Sequence, residues 1–211
     1  MLLHGIVAIP AIYDLAQWLA GSAISHRILR EVFARLPAEA VTLDVGGGTG
    51  RLRPLLPPAW KYTCVDLDPQ KLAGFRKKFP LDMAVQSSAT HLPFPDAAFD
   101  LVILCAVSHH LADDELAPAL TEISRVLKLD GRFLFLDALS RRDRWRSRLL
   151  WAVDRGSHPR TFEQLRDAVG RKFRVERELR YEIHHAYVLW ILQKRPASAV
   201  ADAPGIIAAS A

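Results

Sequence analysis

Cysteine is nearly absent from this chain, with only Cys64 and Cys105 among 211 residues. Both fall in stretches that read as buried strands, expected on different sides of the sheet. That excludes a disulfide framework and suits a reducing, cytoplasmic setting. No C-x-x-C pair or His/Cys cluster has zinc-site spacing, so no metal is expected. An uninterrupted spanning run is missing too. Residues 1–20 come nearest, but His4, Pro10, Asp14 and Gln17 interrupt them and no basic stretch precedes them. Neither a cleaved signal nor a membrane-crossing helix is expected. There is no internal repeat.

What is present is an ordinary globular balance, 50% hydrophobic and 24% charged, in a length that suits one domain with a large core. The charge is uneven. Residues 141–195 hold 15 Lys+Arg against 7 Asp+Glu, and the remainder 13 against 16. A basic last third suits nucleic acid, an anionic membrane surface or an anionic substrate; solvated faces of helices and strands would produce it equally.

The chain is organised around residues 41–51, VTLDVGGGTGR. Val41, Leu43 and Val45 read as a buried strand containing Asp44. Gly46, Gly47, Gly48 and Gly50 follow at once, then a helical turn or two over 51–56. Strand, glycine turn, helix is the layout of a nucleotide-binding unit, in which glycines allow positive φ and close approach of a ligand. The spacing is G-x-G-x-G with Asp44 two positions ahead. A dinucleotide loop would carry glycine at the sixth position, where this chain has Arg51. A tight turn without a ligand is the alternative.

Taken in order, residues 1–20 form a lid helix over a cofactor or lie on a membrane surface. Residues 25–36 form an amphipathic helix ended by Pro37. A second strand covers 62–68, and Pro69 opens a helix over 70–79. Asp66 stands about twenty residues beyond the glycine loop, where an acidic residue accepts hydrogen bonds from ribose hydroxyls. Asp68 is a second candidate, or caps the helix. Strands follow at 82–89 and 99–107, the latter apolar and expected to be covered on both faces. Next come Ser108-His109-His110-Leu111, a helix over 113–127, a turn at Asp130-Gly131 and a strand over 132–139. A basic helix at 140–154 and a loop at 155–160 precede a helix from Thr161, with Gln164 completing a capping box. Two strands, 172–183 and 186–194, form an antiparallel hairpin. Residues 196–211 are expected to be a disordered tail.

Alternating strands and helices predict an α/β fold with a parallel sheet, its ligand beyond the carboxyl ends of the strands. LDVGGGTG, VDLDPQKL, HLPFPDAAFDLV, SHHL and ISRVLKLDGRFLFLD together resemble the class I S-adenosylmethionine (SAM)-dependent methyltransferases. The chain is similar in particular to the small ubiquinone-methyltransferase-like enzymes. The resemblance implies a Rossmann-like seven-stranded sheet in the order 3-2-1-4-5-7-6, strand 7 antiparallel, within a single domain over 1–195. Residues 1–37 would be lid helices and 140–170 a helical roof.

The resemblance also implies site residues. Asp44 and the backbone of Gly46, Gly47 and Gly48 would face the methionine end of SAM. Asp66 would hold the ribose and Leu67 would pack near the adenine. Ser88 stands where relatives often have an acidic residue for the adenine amino group, and the amide of Ala89 would reach a ring nitrogen. Cys105 would line the methionine side, and Tyr13 would fold over the cofactor from the lid.

Methyl transfer from a sulfonium is an in-line displacement, so the protein supplies position and, where the acceptor loses a proton, a base. His109 and His110 are candidates for base or acceptor-orienter; the alternative is that they cap the strand. His158, between Arg155 and Arg160, would grip an anionic substrate, or the loop merely shapes a helix N-terminus. The basic stretch 141–153 is either a substrate roof or a peripheral membrane contact for a lipid-soluble acceptor. The acceptor is expected to be a small molecule, methylated on O, N, C or S. Nucleic acid is disfavoured by the lack of an aromatic stacking platform, of an RNA-binding appendage and of an Asn/Asp-Pro-Pro-Tyr run. A protein that binds SAM without transferring its methyl group, as a regulator or non-redox catalyst, is the reading from another class.

Overall fold

The structure, a computed structural model, describes residues 23–34, 36–140, 158–182 and 186–195. The expectations for Tyr13 and the lid over 1–20, for the basic stretch 141–153, for Arg155 and for the tail lie outside the described residues. The described elements begin with α1 (Ala23–Phe33), β1 (Val41–Val45), a 3-10 turn (Arg53–Leu55), β2 (Lys61–Asp66), α2 (Pro69–Lys78), β3 (Met83–Gln86) and β4 (Phe99–Cys105). A 3-10 turn (Ser108–His110), α3 (Asp113–Val126), β5 (Leu127–Leu139), α4 (Phe162–Gly170), β6 (Phe173–Glu182) and β7 (Ala186–Lys194) complete them.

The seven strands form one sheet in the order β3-β2-β1-β4-β5-β7-β6. β1 pairs in parallel with β2 and β4, and β7 runs antiparallel to both its neighbours. This is the expected topology. β1 and β4 can be almost continuously apolar because helices cover both faces. On one face Val45, Leu104, Phe135 and Trp190 pack with Leu120 and Ile123 of α3 and Leu165 of α4. On the other, Ile103, Leu134 and Leu136 pack with Leu29 and Phe33 of α1 and Leu72 and Phe75 of α2. β6 is the edge strand. It alternates charged residues with half-buried ones, and such charges discourage further strand pairing.

Local signals set the helix starts. Asp68 caps α2, its Oδ1 accepting from the amides of Gln70 (2.8 Å) and Lys71 (3.3 Å). Thr161 and Gln164 form the reciprocal capping box of α4. α3 places Asp113, Asp114 and Glu115 in its first turn, where negative charge meets the positive end of the helix dipole.

Three expectations need correction. The two cysteines lie on the same face of the sheet. Asp44 is level with both Cys64 and Ile103, and Cys105 lies two residues beyond Ile103, so both thiols point one way. β1 separates their strands by two spacings, about 10 Å, beyond disulfide reach, and both are free. The turn at Asp130-Gly131 does not separate α3 from the next strand. Leu127 already pairs with Phe99, then the register jumps to Arg132 opposite Leu101, so the intervening residues form a bulge within β5. A Cβ on Gly131 would lie 3.0 Å from the Asp100 carbonyl oxygen, which is why glycine stands there. Finally, the second, third and fourth strands stop short of their expected ends. Asp68, Ser88, Ala89 and Val107 therefore belong to the loops at the sheet's carboxyl edge.

Candidate active site

The carboxyl ends of β1 and β4 flank the point where the strand order reverses, and the glycine loop closes over it. Gly46, Gly48 and Gly50 all have positive φ, +73°, +56° and +77°, a region costly for residues with a Cβ. The Gly46 and Gly47 amides donate to the Val65 carbonyl (2.7 and 3.0 Å), tying the loop to β2. Val107, after β4, packs on Gly46 so closely that a Cβ there would come within 2.5 Å of its Cγ2. Gly48 differs, since a Cβ there would meet nothing nearer than 3.6 Å. The loop thus leaves an open notch at Gly48 and none at its other glycines.

One acid borders the notch, and a second lies beneath the glycine loop. Asp66 ends β2, and its Oδ2 accepts from the Gly48 amide (3.0 Å) while its Oδ1 accepts from the Asp68 amide (2.9 Å). Two lone pairs per oxygen leave it capacity for hydroxyl donors. Asp68, its rival for the ribose role, is occupied as a helix cap. Asp44 is buried beneath the loop. A Cβ on Gly47 would lie 2.8 Å from its Oδ2, the atom that accepts a hydrogen bond from the Tyr62 hydroxyl. Burial pushes the Asp44 carboxyl up to about 7; the Tyr62 hydrogen bond opposes this and the Asp66 charge adds to it. Leu67, 65% exposed at the end of β2, offers an apolar surface beside these acids.

The other expected residues divide. Ala89 is buried, and the Ser88 hydroxyl is turned into its own loop, 2.8 Å from Thr90 Oγ1. Cys105 is half-buried at the end of β4. Its thiol is pushed up, first by burial and then by the charges of Asp44 and Asp137, which makes it a poor nucleophile. Ala106 beyond it takes a left-handed φ of 55° as the chain leaves the strand.

The histidines converge. His109 is buried, with its Nδ1 2.6 Å from Asp137 Oδ1. Asp137 Oδ2 accepts from Ser108 Oγ (2.5 Å) and the His109 amide (3.3 Å), and Oδ1 also accepts from the Ala138 amide (2.7 Å). Burial alone would raise the Asp137 carboxyl, but the His109 charge and these hydrogen bonds outweigh it and hold it below its ordinary value. Serine, histidine and aspartate meet here, yet the hydroxyl bonds the carboxylate and not the imidazole. That is not the arrangement of an activated serine nucleophile. His110 is exposed, its ring centroid 4.2 Å from that of His109. The His158 amide donates to the His109 carbonyl (3.0 Å).

Arg160 is buried. It donates to the carbonyls of Ser108 (2.6 Å) and Leu111 (2.9 Å) and to Asp113 Oδ1 (2.8 Å). Its guanidinium is therefore committed to the loop after β4, not turned out toward an anionic substrate. Sequence reasoning missed Asp137, Tyr62 and this role of Arg160. One signal existed: Asp137 is the only acid in the apolar run of 133–139, and a buried carboxylate needs a partner. Among the described residues no group of His, Cys, Asp and Glu could hold a metal ion.

Residues 43–135 match the family model described as a methyltransferase domain. Over that stretch the chain carries a methyltransferase domain, of the kind the class I SAM-dependent resemblance implied. It is 34% identical over 111 residues to the uncharacterized methyltransferase YcgJ of Bacillus subtilis, covering 49% of this chain and 43% of that protein. It is 33% identical over 144 residues to the ubiquinone/menaquinone biosynthesis C-methyltransferase UbiE of Hahella chejuensis, covering 62% and 56%. The chain thus spans about half the length of these relatives. The crystal structure of YcgJ superposes with a TM-score of 0.69 at 18% identity, covering 83% of this chain and all of that one. The match contains the glycine loop, Asp44, Asp66 and the histidine pair. The family match stops before Asp137 and Arg160.

Proposed function

We propose that this chain transfers the methyl group of SAM to a small-molecule acceptor. The observation that carries the reading is the notch at Gly48 bordered by Asp66 and Lys71, with Asp44 buried beneath the neighbouring Gly47 and the His109 loop meeting the glycine loop through Val107. The notch suits this cofactor. SAM is cationic at its sulfonium and amine, and two neighbouring carboxylates attract such a charge. Asp44 and the Gly46–Gly48 backbone would hold the methionine end, Asp66 the ribose hydroxyls, and Leu67, Ser88 and Ala89 the adenine. Bound there, SAM supplies an electrophilic methyl carbon. His109 accepts a proton from the acceptor, His110 and His158 flank the acceptor's approach, and the loop excludes water.

Calorimetry with SAM, followed by mass-spectrometric detection of S-adenosylhomocysteine across phenols, enols, amines, thiols and carboxylates, tests the reading. Binding with turnover on at least one class is expected; absence of SAM binding overturns it. Binding without product on any acceptor would favour a protein that uses SAM without transferring its methyl group. The Ser88 hydroxyl, already bonded to Thr90, is the feature that points that way. UbiE is named for ubiquinone/menaquinone biosynthesis, so lipid-soluble phenols belong in the acceptor panel.

A further inference from the structure

The geometry points to Asp137 as the positioning residue that fixes which nitrogen of His109 handles the acceptor's proton. The inference rests on the reading of His109 as base. His109 has two ring nitrogens, and only one can accept a proton in the neutral ring. Nδ1 stands 2.6 Å from Asp137 Oδ1, and a carboxylate that already accepts from Ser108 Oγ and from the His109 and Ala138 amides is placed as an acceptor, so the neutral ring keeps its proton on Nδ1. Nε2 is then the basic nitrogen. In the transfer step Nε2 takes the acceptor's proton, while the acceptor's lone pair bonds to the methyl carbon and the departing pair stays on sulfur. The imidazolium is stabilised by Asp137 and later returns its proton to solvent.

Asp137 is built for this task. It is 1% exposed and sits on β5, the strand beside the one whose end carries His109. Four donors fix it: Ser108 Oγ, the His109 amide, the Ala138 amide and the imidazole itself. Among the described residues, the other charged groups nearby are engaged differently. Arg160 holds the Ser108 carbonyl and Asp113, His158 reaches the His109 carbonyl by its amide, and His110 contributes a ring face. Asp137 is the one described carboxylate bonded to the His109 ring.

The test reads the tautomer directly. Nitrogen-15 NMR of the full chain labelled at histidine, with His109 assigned by the missing signal of His109→Gln, should show a neutral ring protonated on Nδ1. In Asp137→Asn the amide can turn its NH2 toward Nδ1, and the proton should move to Nε2. On whichever acceptor supports turnover, Asp137→Asn should lower kcat by roughly 10²- to 10⁴-fold, the range of a positioned base, with SAM affinity within about twofold of the parent. A wild-type ring protonated on Nε2, or a variant with unchanged tautomer and kcat, overturns the proposal. The wild-type spectrum decides even should the variant not fold. If instead His109→Gln turns over fully while the tautomer still follows residue 137, the base assignment fails and the positioning stands.

Discussion

At the scale of single residues, Gly46 and Gly48 look alike in the sequence and do opposite work. Both need positive φ, which costs a side-chain-bearing residue about 1 kcal/mol. At Gly46 a methyl would also collide with Val107, 2.5 Å from its Cγ2, and Val107 is backed by the His109 loop. Gly46→Ala is therefore expected to destabilise the fold by roughly 2–4 kcal/mol in urea melts. At Gly48 the nearest atoms stand 3.6 and 3.8 Å away, belonging to Lys71 and Asp66. Gly48→Ala should lose only about 1 kcal/mol of stability yet weaken SAM binding at least tenfold, because its methyl fills the notch. Calorimetry and melts on the two variants separate the roles. Equal losses of stability would show that the notch is not special.

At the scale of elements, the loop after β4 is held by parts far away in sequence. Arg160 reaches Ser108, Leu111 and Asp113, about fifty residues back, and its own carbonyl accepts from the Ser140 amide (2.8 Å). Removing the guanidinium leaves buried carbonyls without donors. Arg160→Ala should therefore cost roughly 3–5 kcal/mol, and Arg160→Lys, which keeps the charge but not the fork, an intermediate amount. Chemical denaturation measures both, and a loss under 1 kcal/mol for the alanine would remove Arg160 from the clamp. Such long-range contacts mark where sequence reading ends. The alternation of strands and helices, the capping box at Thr161 and the placing of Asp66 were readable because each rests on local pattern or fixed spacing, whereas the sheet order was implied by the family resemblance. The bulge that absorbs Asp130-Gly131 was not, because a turn dipeptide looks the same inside a strand as between elements. Nor was the Asp137–His109 bond, since pairing between a residue of β5 and the turn after β4 leaves no period in the sequence.

At the scale of the whole molecule, the candidate site and the fold make opposing demands on one carboxyl. The folded chain holds the Asp44 proton up to about pH 7, whereas an unfolded aspartate releases it near 3.9. The proton-linked stabilisation is thus complete below about 3.9 and disappears as pH rises toward 7. Above that, the buried anion costs the ligand-free protein on the order of 2–4 kcal/mol. A cationic ligand inverts the balance because it binds the ionised form. Two results should follow in thermal melts at pH 5, 7 and 8.5. Asp44→Asn, which keeps an oxygen for the Tyr62 hydroxyl, should melt higher than the parent without SAM, with a gap that widens as pH rises. Addition of SAM should raise the parent's midpoint more at pH 8.5 than at pH 5 and leave the variant unmoved. Asp137, held low, gives the opposite slope, but both proteins carry it and it cancels in the difference. A gap constant with pH would mean that Asp44 is ionised in the ligand-free protein, and the acidic notch would then attract the sulfonium at no expense to the fold.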